Sequence, residues 1–263
     1  HVKDVGLSDV VGAIEADWAT KNETMVRVRN RIELVLAWAG ARDLRSKENP
    51  ARWRGNLDQL LPRPSKVNRR THHPALPIDQ VHGFIKQLRS GEGVSIRCLE
   101  FVILTACRSG EARLSRWPEF DLSAAVWSVP GERMKSGRAH RVPLSGSVLS
   151  LLKSLPKFEG TDLVFPGRDP EKPLSDMSLT AIMRRHQLTA VPHGFRSTFR
   201  DWAAESTDFP AEVCEMALAH AIGDETEAAY RRGDLFEKRK RLMDEWAAFV
   251  MTPSLVKGAK NGD

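Results

Sequence analysis

The chain has 263 residues, of which 41% are hydrophobic and 28% are charged, and its formal net charge at pH 7 is +6. This length suits one large domain or two small ones, and the apolar share can form a hydrophobic core, which excludes a chain disordered throughout. No apolar run approaches the roughly 18 residues of a membrane-spanning helix. The basic charge favours phosphate-bearing partners.

Cysteine usage and the start of the chain bear on where such a protein works. Cys98, Cys107 and Cys214 are odd in number and far apart, which argues against a disulfide framework or a zinc finger and favours a reducing cytosol. The chain begins at His1 with neither an initiator Met nor an apolar leader. We therefore expect a fragment of a longer protein.

The N-terminal part of the chain has helical patterning. Apolar residues recur at helical spacing over 10–18 and over about 23–39, and a third, shorter helix is predicted over 51–61. Arg27 and Arg29 lie on the other face of the second helix. The pattern predicts a small all-α unit with a basic face.

A change of composition at residues 62–74 predicts a linker. This segment contains three prolines and four Lys or Arg residues, with no acidic residue and almost nothing to bury. Its charge indicates that Lys66, Arg69 and Arg70 lie along something anionic. The alternative is a solvated tether that binds nothing.

A larger region follows from about residue 75. Two strands are predicted over 125–129 and 140–144, joined by a Gly- and Lys-rich turn. Helices are predicted over 78–88, 96–106, 148–155, 179–186, 196–204, 212–219, 226–230 and 235–249. The fold class predicted for the whole chain is mainly α with a small antiparallel β-sheet, ending in a mobile tail over 251–263.

Polar residues that could carry chemistry are weak candidates when taken singly. Arg108 follows a buried helix and could simply pair with Glu111 at a helix end. Lys135 lies in the turn of the predicted hairpin, where lysines usually serve solubility. A lone tyrosine such as Tyr230 is most often a packing residue.

Three further positions, His193, Arg196 and His220, share this ambiguity. His193 and Arg196 are three residues apart at a predicted helix start, where a solvated pair is the ordinary explanation. His220 ends an apolar helix, where a histidine often satisfies the last carbonyls.

Taken together, the six positions indicate one kind of site. They comprise two arginines, two histidines, a lysine and a tyrosine, without the paired carboxylates that hold catalytic Mg²⁺ and without serine-hydrolase, zincin or phosphate-loop motifs. Such a cationic set suits the added charge on a phosphodiester under attack. We predict no cofactor and no metal, with the tyrosine as nucleophile.

The order of these motifs resembles that of the tyrosine recombinases of the phage integrase family, more narrowly the integrases of satellite prophages and genomic islands. The resemblance covers nearly the whole chain, and ten positions separate His220 from Tyr230 as in that family. The motifs that carry it are 105–111, Lys135, 193–196, 218–220 and 228–232.

The resemblance implies roles at the scissile phosphate. Arg108 and Arg196 would bind its non-bridging oxygens, and His220 would donate a hydrogen bond to it. The residue before this histidine is Ala219, where many members of the family have glycine.

The resemblance also implies which residues carry out the nucleophilic attack and the proton transfers. Tyr230 would attack to give a 3′-phosphotyrosyl link, with His193 assisting removal of its proton. Lys135 would protonate the leaving 5′ oxygen, an assignment complicated by Arg133 and Arg138 in the same turn.

For the whole chain the resemblance implies a helical core-binding domain (1–61), a basic linker (62–74), a catalytic domain (75–250) and a tail (251–263), closed as a C-shaped clamp around DNA. Implied partners are double-stranded DNA at attachment core sites, further copies in a tetramer on synapsed DNA, a directionality factor and a host DNA-bending protein, with no membrane. The expected place is the bacterial cytosol, at the nucleoid. An N-terminal arm-binding domain usual in such relatives is not recognised. The alternatives are a type IB topoisomerase-like relaxing enzyme and a non-catalytic DNA-binding relative.

Overall fold

The computed structural model describes residues 1–67, 74–220 and 233–252. The chain divides into two compact units, His1–Thr71 and His72–Asp263, each with its own cluster of buried apolar side chains. The predicted helix over 226–230 and most of the predicted tail lie outside the described residues. The domain limits inferred from the sequence stay predictions.

The first unit is helical. It contains α1 (Leu7–Trp18), α2 (Asn22–Ala41) and the short α3 (Pro64–Val67). Trp18, at the end of α1, is buried, stacks on Trp53 with 5.6 Å between ring centroids, and donates its indole N–H to the Pro62 carbonyl at 2.9 Å. These two contacts hold Trp53 and Pro62 against the C-terminal end of α1.

The prediction of a third helix over 51–61 was wrong. Only a 3₁₀ turn, Leu57–Gln59, forms there. Gly55 has a φ of +82°, a conformation that interrupts a right-handed helix, and its N–H donates to the Asp58 carboxylate at 2.9 Å. Ala51, Leu57 and Leu61 are buried although they do not lie on an α-helix, whereas Leu60 is exposed.

The second unit is mainly α. Its helices are α4 (Val81–Arg89), α5 (Val94–Thr105), α6 (Ser109–Arg113), α7 (Gly146–Ser154), α8 (Met177–Arg185), α9 (Gly194–Ser206), α10 (Ala211–Ala217) and α11 (Phe236–Met251). All residues of α5 from Cys98 to Thr105 are buried, and helices α4, α6, α7, α8, α9 and α11 pack around it. The apolar run seen in the sequence is therefore the central helix of this unit.

A small antiparallel sheet completes the unit, so the predicted fold class is confirmed. Its strands are β1 (Phe120–Asp121), β2 (Val126–Val129) and β3 (His140–Pro143), in the order β1-β2-β3. Trp127 of β2 pairs with Val142 of β3. The two predicted strands are present, whereas the two-residue β1 is too short to leave a period in the sequence.

Helix α11 packs within its own unit. The buried Trp246 lies 5.4 Å from Phe199 and 5.1 Å from Trp202, between ring centroids, and donates its indole N–H to the Ile103 carbonyl at 2.8 Å. The sequence left open whether this segment covers its own core or that of a neighbour. In this structure it covers its own.

Candidate active site

Arg108 lies where the central helix gives way to a new one. Helix α5 ends because Ala106 adopts a left-handed conformation with a φ of +49°, and Arg108 is the residue that precedes α6. Its backbone N–H and its Nη1 donate to the two carboxylate oxygens of Glu111, at 2.9 and 2.7 Å. The ion pair anticipated from the sequence thus exists, but it uses only one side of the guanidinium. The other nitrogen, Nη2, lies 3.5 Å from the Ala219 carbonyl.

Arg196 joins three separate segments of the second unit. It lies in the first turn of α9 and is only 4% exposed. Its Nη1 donates to the Ala106 carbonyl at 2.8 Å, and its Nη2 donates to the Leu218 carbonyl at 2.6 Å. Burial, and next the positive charge of Arg108, lower the pKa of Arg196 to about 10. The guanidinium is still charged at pH 7, and two like charges are held side by side.

His220 meets Arg196 directly. The Nε2 atom of His220 lies 3.0 Å from Nη2 of Arg196, and its Nδ1 lies 2.6 Å from a carboxylate oxygen of Glu215. We call Arg108, Arg196 and His220 the arginine–histidine cluster. It brings together three of the six predicted catalytic residues.

His193 directly precedes α9, with an exposed side chain and with its carbonyl accepting from the Arg196 N–H at 3.2 Å. The next residue, Gly194, packs against Pro74, whose carbonyl also accepts from the Val191 N–H at 3.1 Å. A Cβ on Gly194 would lie 2.2 Å from the Pro74 oxygen. Glycine is therefore required between the histidine and the arginine of this motif.

Lys135 lies on an exposed turn between β2 and β3. In the same turn, Arg133 donates to the Glu119 carboxylate and to the Leu114 carbonyl, so its guanidinium is already engaged. Arg138 is exposed. Within the described parts of the chain, no hydrogen bond or ion pair joins Lys135 to the arginine–histidine cluster.

Tyr230 lies outside the described residues, as do Arg69 and Arg70. The other predicted DNA-binding residues belong to the first unit and differ in access. Arg27 is 70% exposed and pairs with Glu23 one turn away, and Lys66 is exposed.

Arg29 is less accessible. Its side chain is 12% exposed, and its Nη1 donates to Glu33 at 2.6 Å and to the Ala51 carbonyl at 3.1 Å. Helical spacing put it on the basic face, but its contacts are within the unit.

His140 is a titratable residue that the sequence analysis missed and on which the charges of the site act. It lies on β3, and burial, followed by the charge of Arg239, lowers its pKa to about 4, with Arg108 and Arg196 acting in the same direction. Its Nε2 is buried and has no hydrogen-bond partner among the described residues. The charges of the two arginines therefore act on the His140 imidazole, which is neutral at pH 7. No local pattern in the sequence marks this position.

Two kinds of feature are absent from the described residues. They contain no group of three or more His, Cys, Asp and Glu side chains placed to hold a metal ion. They also contain no helix that is both long and apolar enough to cross a bilayer.

Comparison with known proteins identifies the family. Residues 75–235 match the model of the phage integrase family, and residues 1–56 match that of the phage integrase central domain. The first match covers more than half of the chain and includes all six predicted catalytic positions. The chain belongs to the phage integrase family.

Its relatives in this family are integrases of the prophage and phage type of tyrosine recombinase. Prophage integrase IntA of Escherichia coli is 33% identical over 91% of this chain and 56% of its own length, and the integrase of Enterobacteria phage P4 is 27% identical over 95% and 60%. This member of the phage integrase family thus spans less than two thirds of the length of either of these two relatives.

Solved structures of phage integrase relatives share the fold. A lambda integrase dimer bound to a core site matches with a TM-score of 0.57 and 16% identity over 88% of this chain and 81% of that one. The Tn1549 transposon integrase in complex with transposon right-end DNA matches with a TM-score of 0.59 and 13% identity over 93% and 86%.

Proposed function

We propose that this chain supplies the core-site-binding and catalytic parts of a site-specific DNA recombinase, which cleaves and rejoins DNA through a 3′-phosphotyrosyl intermediate. The observation that carries the proposal is the convergence of Arg108, Arg196 and His220 from three separate segments of the second unit. Since the relatives are prophage and phage integrases, we further propose integration and excision of a mobile element as the purpose of this chemistry.

The arginine–histidine cluster is suited to stabilise the transition state of a phosphodiester under nucleophilic attack. Burial beside Arg108 disfavours the charge of Arg196. The carboxylates of Glu111 and Glu215 offset part of that cost, and a bound phosphate would offset more. A phosphodiester gains negative charge on its non-bridging oxygens when a nucleophile attacks, and preformed cationic donors lower the energy of that state. Each charge-assisted hydrogen bond of this kind is worth about 1.5–3 kcal/mol.

The covalent step would be carried by Tyr230. Ionising a free tyrosine at pH 7 costs about 4 kcal/mol, because its pKa is near 10, and positive charges of the arginine–histidine cluster would offset that cost in the proposed reaction. Its phenolic proton would leave with the help of His193 while its oxygen bonds to phosphorus. The bond from phosphorus to the 5′ oxygen breaks, and Lys135 would give that oxygen a proton. The bond energy stays in the phosphotyrosyl link, so attack by a 5′ hydroxyl can reverse the step without ATP.

Residues of both units would contact the DNA. Exposed Arg27 and Lys66 suit phosphate contacts, and they suit them better than Arg29, whose guanidinium is engaged within its unit. Arg69 and Arg70 stay predictions, as does the closure of the two units as a C-shaped clamp. The same holds for the tetramer on synapsed DNA, the directionality factor, the host DNA-bending protein and the nucleoid location.

The experiment is covalent trapping. Nicked suicide duplexes carrying the 3′ ends of tRNA genes, the insertion sites expected for such elements, are incubated with the chain and with Tyr230→Phe, and run on a denaturing gel. We expect a protein–DNA adduct with the native chain and none with the variant, although both bind DNA. An adduct that persists in Tyr230→Phe would contradict the proposal, as would binding to these duplexes with no adduct on any of them.

A further inference from the structure

The C-terminal end of α10 brings two side chains together. The His220 N–H donates to the Glu215 carbonyl at 3.0 Å, and the Ala219 N–H donates to the Met216 carbonyl at 3.1 Å. With Ala219 at a φ of +50°, these bonds form a Schellman motif, in which the side chains of the residues five apart meet. An apolar contact usually occupies this place. Here it is occupied by a carboxylate and an imidazole.

Glu215 lies between Arg200 and His220. One carboxylate oxygen accepts from Nε of Arg200 at 2.6 Å, and the other is 2.6 Å from Nδ1 of His220. Burial by itself would raise the pKa of the Glu215 carboxyl, but the hydrogen bonds from Arg200 and His220 outweigh it and hold that pKa below its usual range. The carboxylate is therefore charged at neutral pH and is fixed from α9.

The partners of His220 determine which of its nitrogens carries the proton. An arginine has donors and no acceptor, so the contact of 3.0 Å with Nη2 of Arg196 makes Nε2 of His220 the acceptor. The proton then resides on Nδ1, which donates to Glu215. The imidazole is held at both nitrogens, with Nε2 against Arg196 and Nδ1 against Glu215.

We propose that Glu215, itself held by Arg200, is a positioning residue that fixes the ring of His220 through Nδ1, so that Nε2 faces the scissile phosphate and donates to it once the ring carries a proton on both nitrogens in the DNA complex. The proposal rests on the proposed function, since the phosphate is the group that His220 would meet. It assigns no contact between Glu215 and DNA. A carboxylate that orients a functional histidine through its second nitrogen is a recurrent arrangement in enzymes and metal sites.

The kinetic test compares variants in the adduct assay. Glu215→Leu keeps an apolar contact at the helix end but removes the acceptor, and we expect adduct formation to slow about 10- to 100-fold with unchanged DNA affinity. Glu215→Gln keeps one acceptor oxygen, so a smaller loss is expected. Glu205→Leu, at an exposed position of α9, is the matched control for loss of a carboxylate and should react at the native rate.

A double-mutant comparison separates positioning from general support of the fold. If Glu215 acts through His220, Glu215→Leu should change the rate of a His220→Ala protein by less than about 2-fold. If it only supports the fold, the same slowing should appear in both backgrounds, and the proposal is then wrong. Arg200→Met loosens Glu215 without touching the imidazole and should give an intermediate loss, which keeps the test available if Glu215→Leu does not fold.

A readout on the free protein is independent of catalysis. Nitrogen NMR of the histidine rings, with His220 assigned by its loss in His220→Ala, should show the proton on Nδ1 in the native chain and its redistribution in Glu215→Leu. An unchanged distribution would overturn the proposal. If the native chain gives no adduct that depends on Tyr230, the proposed function fails, and this spectrum alone then decides the inference about Glu215.

Discussion

Arg141 and Asp234 form a two-pronged ion pair, with 3.0 Å between Nε and Oδ2 and 2.9 Å between Nη2 and Oδ1. The pair ties strand β3 to the residues just ahead of α11. Arg239, which is 1% exposed, donates to the same carboxylate at 2.8 Å and to the Arg141 carbonyl at 2.5 Å. Asp234 is four residues after Tyr230 in the chain, so this ion pair borders the segment that contains the proposed nucleophile.

We expect Asp234→Ala to lower the free energy of unfolding by about 3 kcal/mol, because it leaves the buried Arg239 guanidinium without its carboxylate. Asp234→Asn, which keeps an acceptor oxygen, should lose less. Urea unfolding followed by circular dichroism measures both. The control is Lys172→Ala, which removes one partner of an exposed ion pair with Asp169 and should change stability by less than about 1 kcal/mol. Equal effects of Asp234→Ala and the control would contradict the buried-charge explanation.

Acid should destabilise the second unit through His140. Burial, with the charge of Arg239 next, lowers the pKa of His140 to about 4 in the folded chain, whereas an unfolded histidine titrates near 6.5. Between these values the unfolded chain binds a proton that the folded chain excludes, so stability is fully present above about pH 6.5 and falls as the pH drops toward 4. Titration of His140 should lower the free energy of unfolding by about 3 kcal/mol at most.

Urea unfolding at pH 7, 5.5 and 4.5 tests this dependence in the native chain and in His140→Gln, which has no group that titrates in this window. We expect the native chain to lose stability steadily over the series and the variant to lose clearly less. The hydrogen-bonded carboxyl of Glu215 has a pKa held below its usual 4.5, so its contribution is lost only at lower pH. Parallel curves for the two proteins would show that His140 is not the cause.

Ala219 is expected to be a strained residue. Its φ of +50° at the end of α10 is a left-handed conformation that costs an L-residue about 1–2 kcal/mol and costs glycine little. Ala219→Gly should therefore raise the free energy of unfolding by about 1 kcal/mol. The same substitution at Ala204, an exposed position inside α9, should lower it by about 1 kcal/mol. If both changes have the same sign, the left-handed strain is not what decides the effect at Ala219.

Lys135 is expected to be the general acid of the turn between β2 and β3. Arg133 is engaged by Glu119 and the Leu114 carbonyl, which leaves Lys135 and Arg138 as the exposed cations of that turn. Lys135→Ala should slow cleavage of a normal duplex, and a bridging sulfur at the 5′ position should restore its rate, because a thiolate leaves without a proton. Arg138→Ala should cleave both substrates at nearly the native rate. Rescue of Arg138→Ala in place of Lys135→Ala would move the acid to Arg138.

Local sequence patterns predicted much of the fold and part of the candidate site. The continuous apolar run of α5 and the two strand-like segments around the Gly- and Lys-rich turn are properties of neighbouring residues, and the helix and both strands were predicted. The order of the family motifs predicted Arg108, Arg196 and His220 as members of one site, and the structure places them in one cluster.

The features that were not predicted from the sequence depend on contacts between distant segments or on backbone conformation. Glu215 meets His220 only because Ala219 turns the helix end back on itself, and a spacing of five is not a helical neighbour spacing. His140 becomes a neutral, half-buried group in part through Arg239 of α11, far along the chain. Helical periodicity assigned Arg29 to an exposed face, whereas its long side chain reaches back to the Ala51 carbonyl.

The measurement that tests the central claim most directly uses the fact that Tyr230 is the only tyrosine in the sequence. The denatured adduct from a nicked suicide duplex with radioactive phosphate at the cleaved position is digested with nuclease and hydrolysed to amino acids. We expect the label in phosphotyrosine, which in this chain identifies Tyr230 without any mutation. Label in phosphoserine or phosphothreonine, or none on an amino acid, would contradict attack by Tyr230 on the DNA.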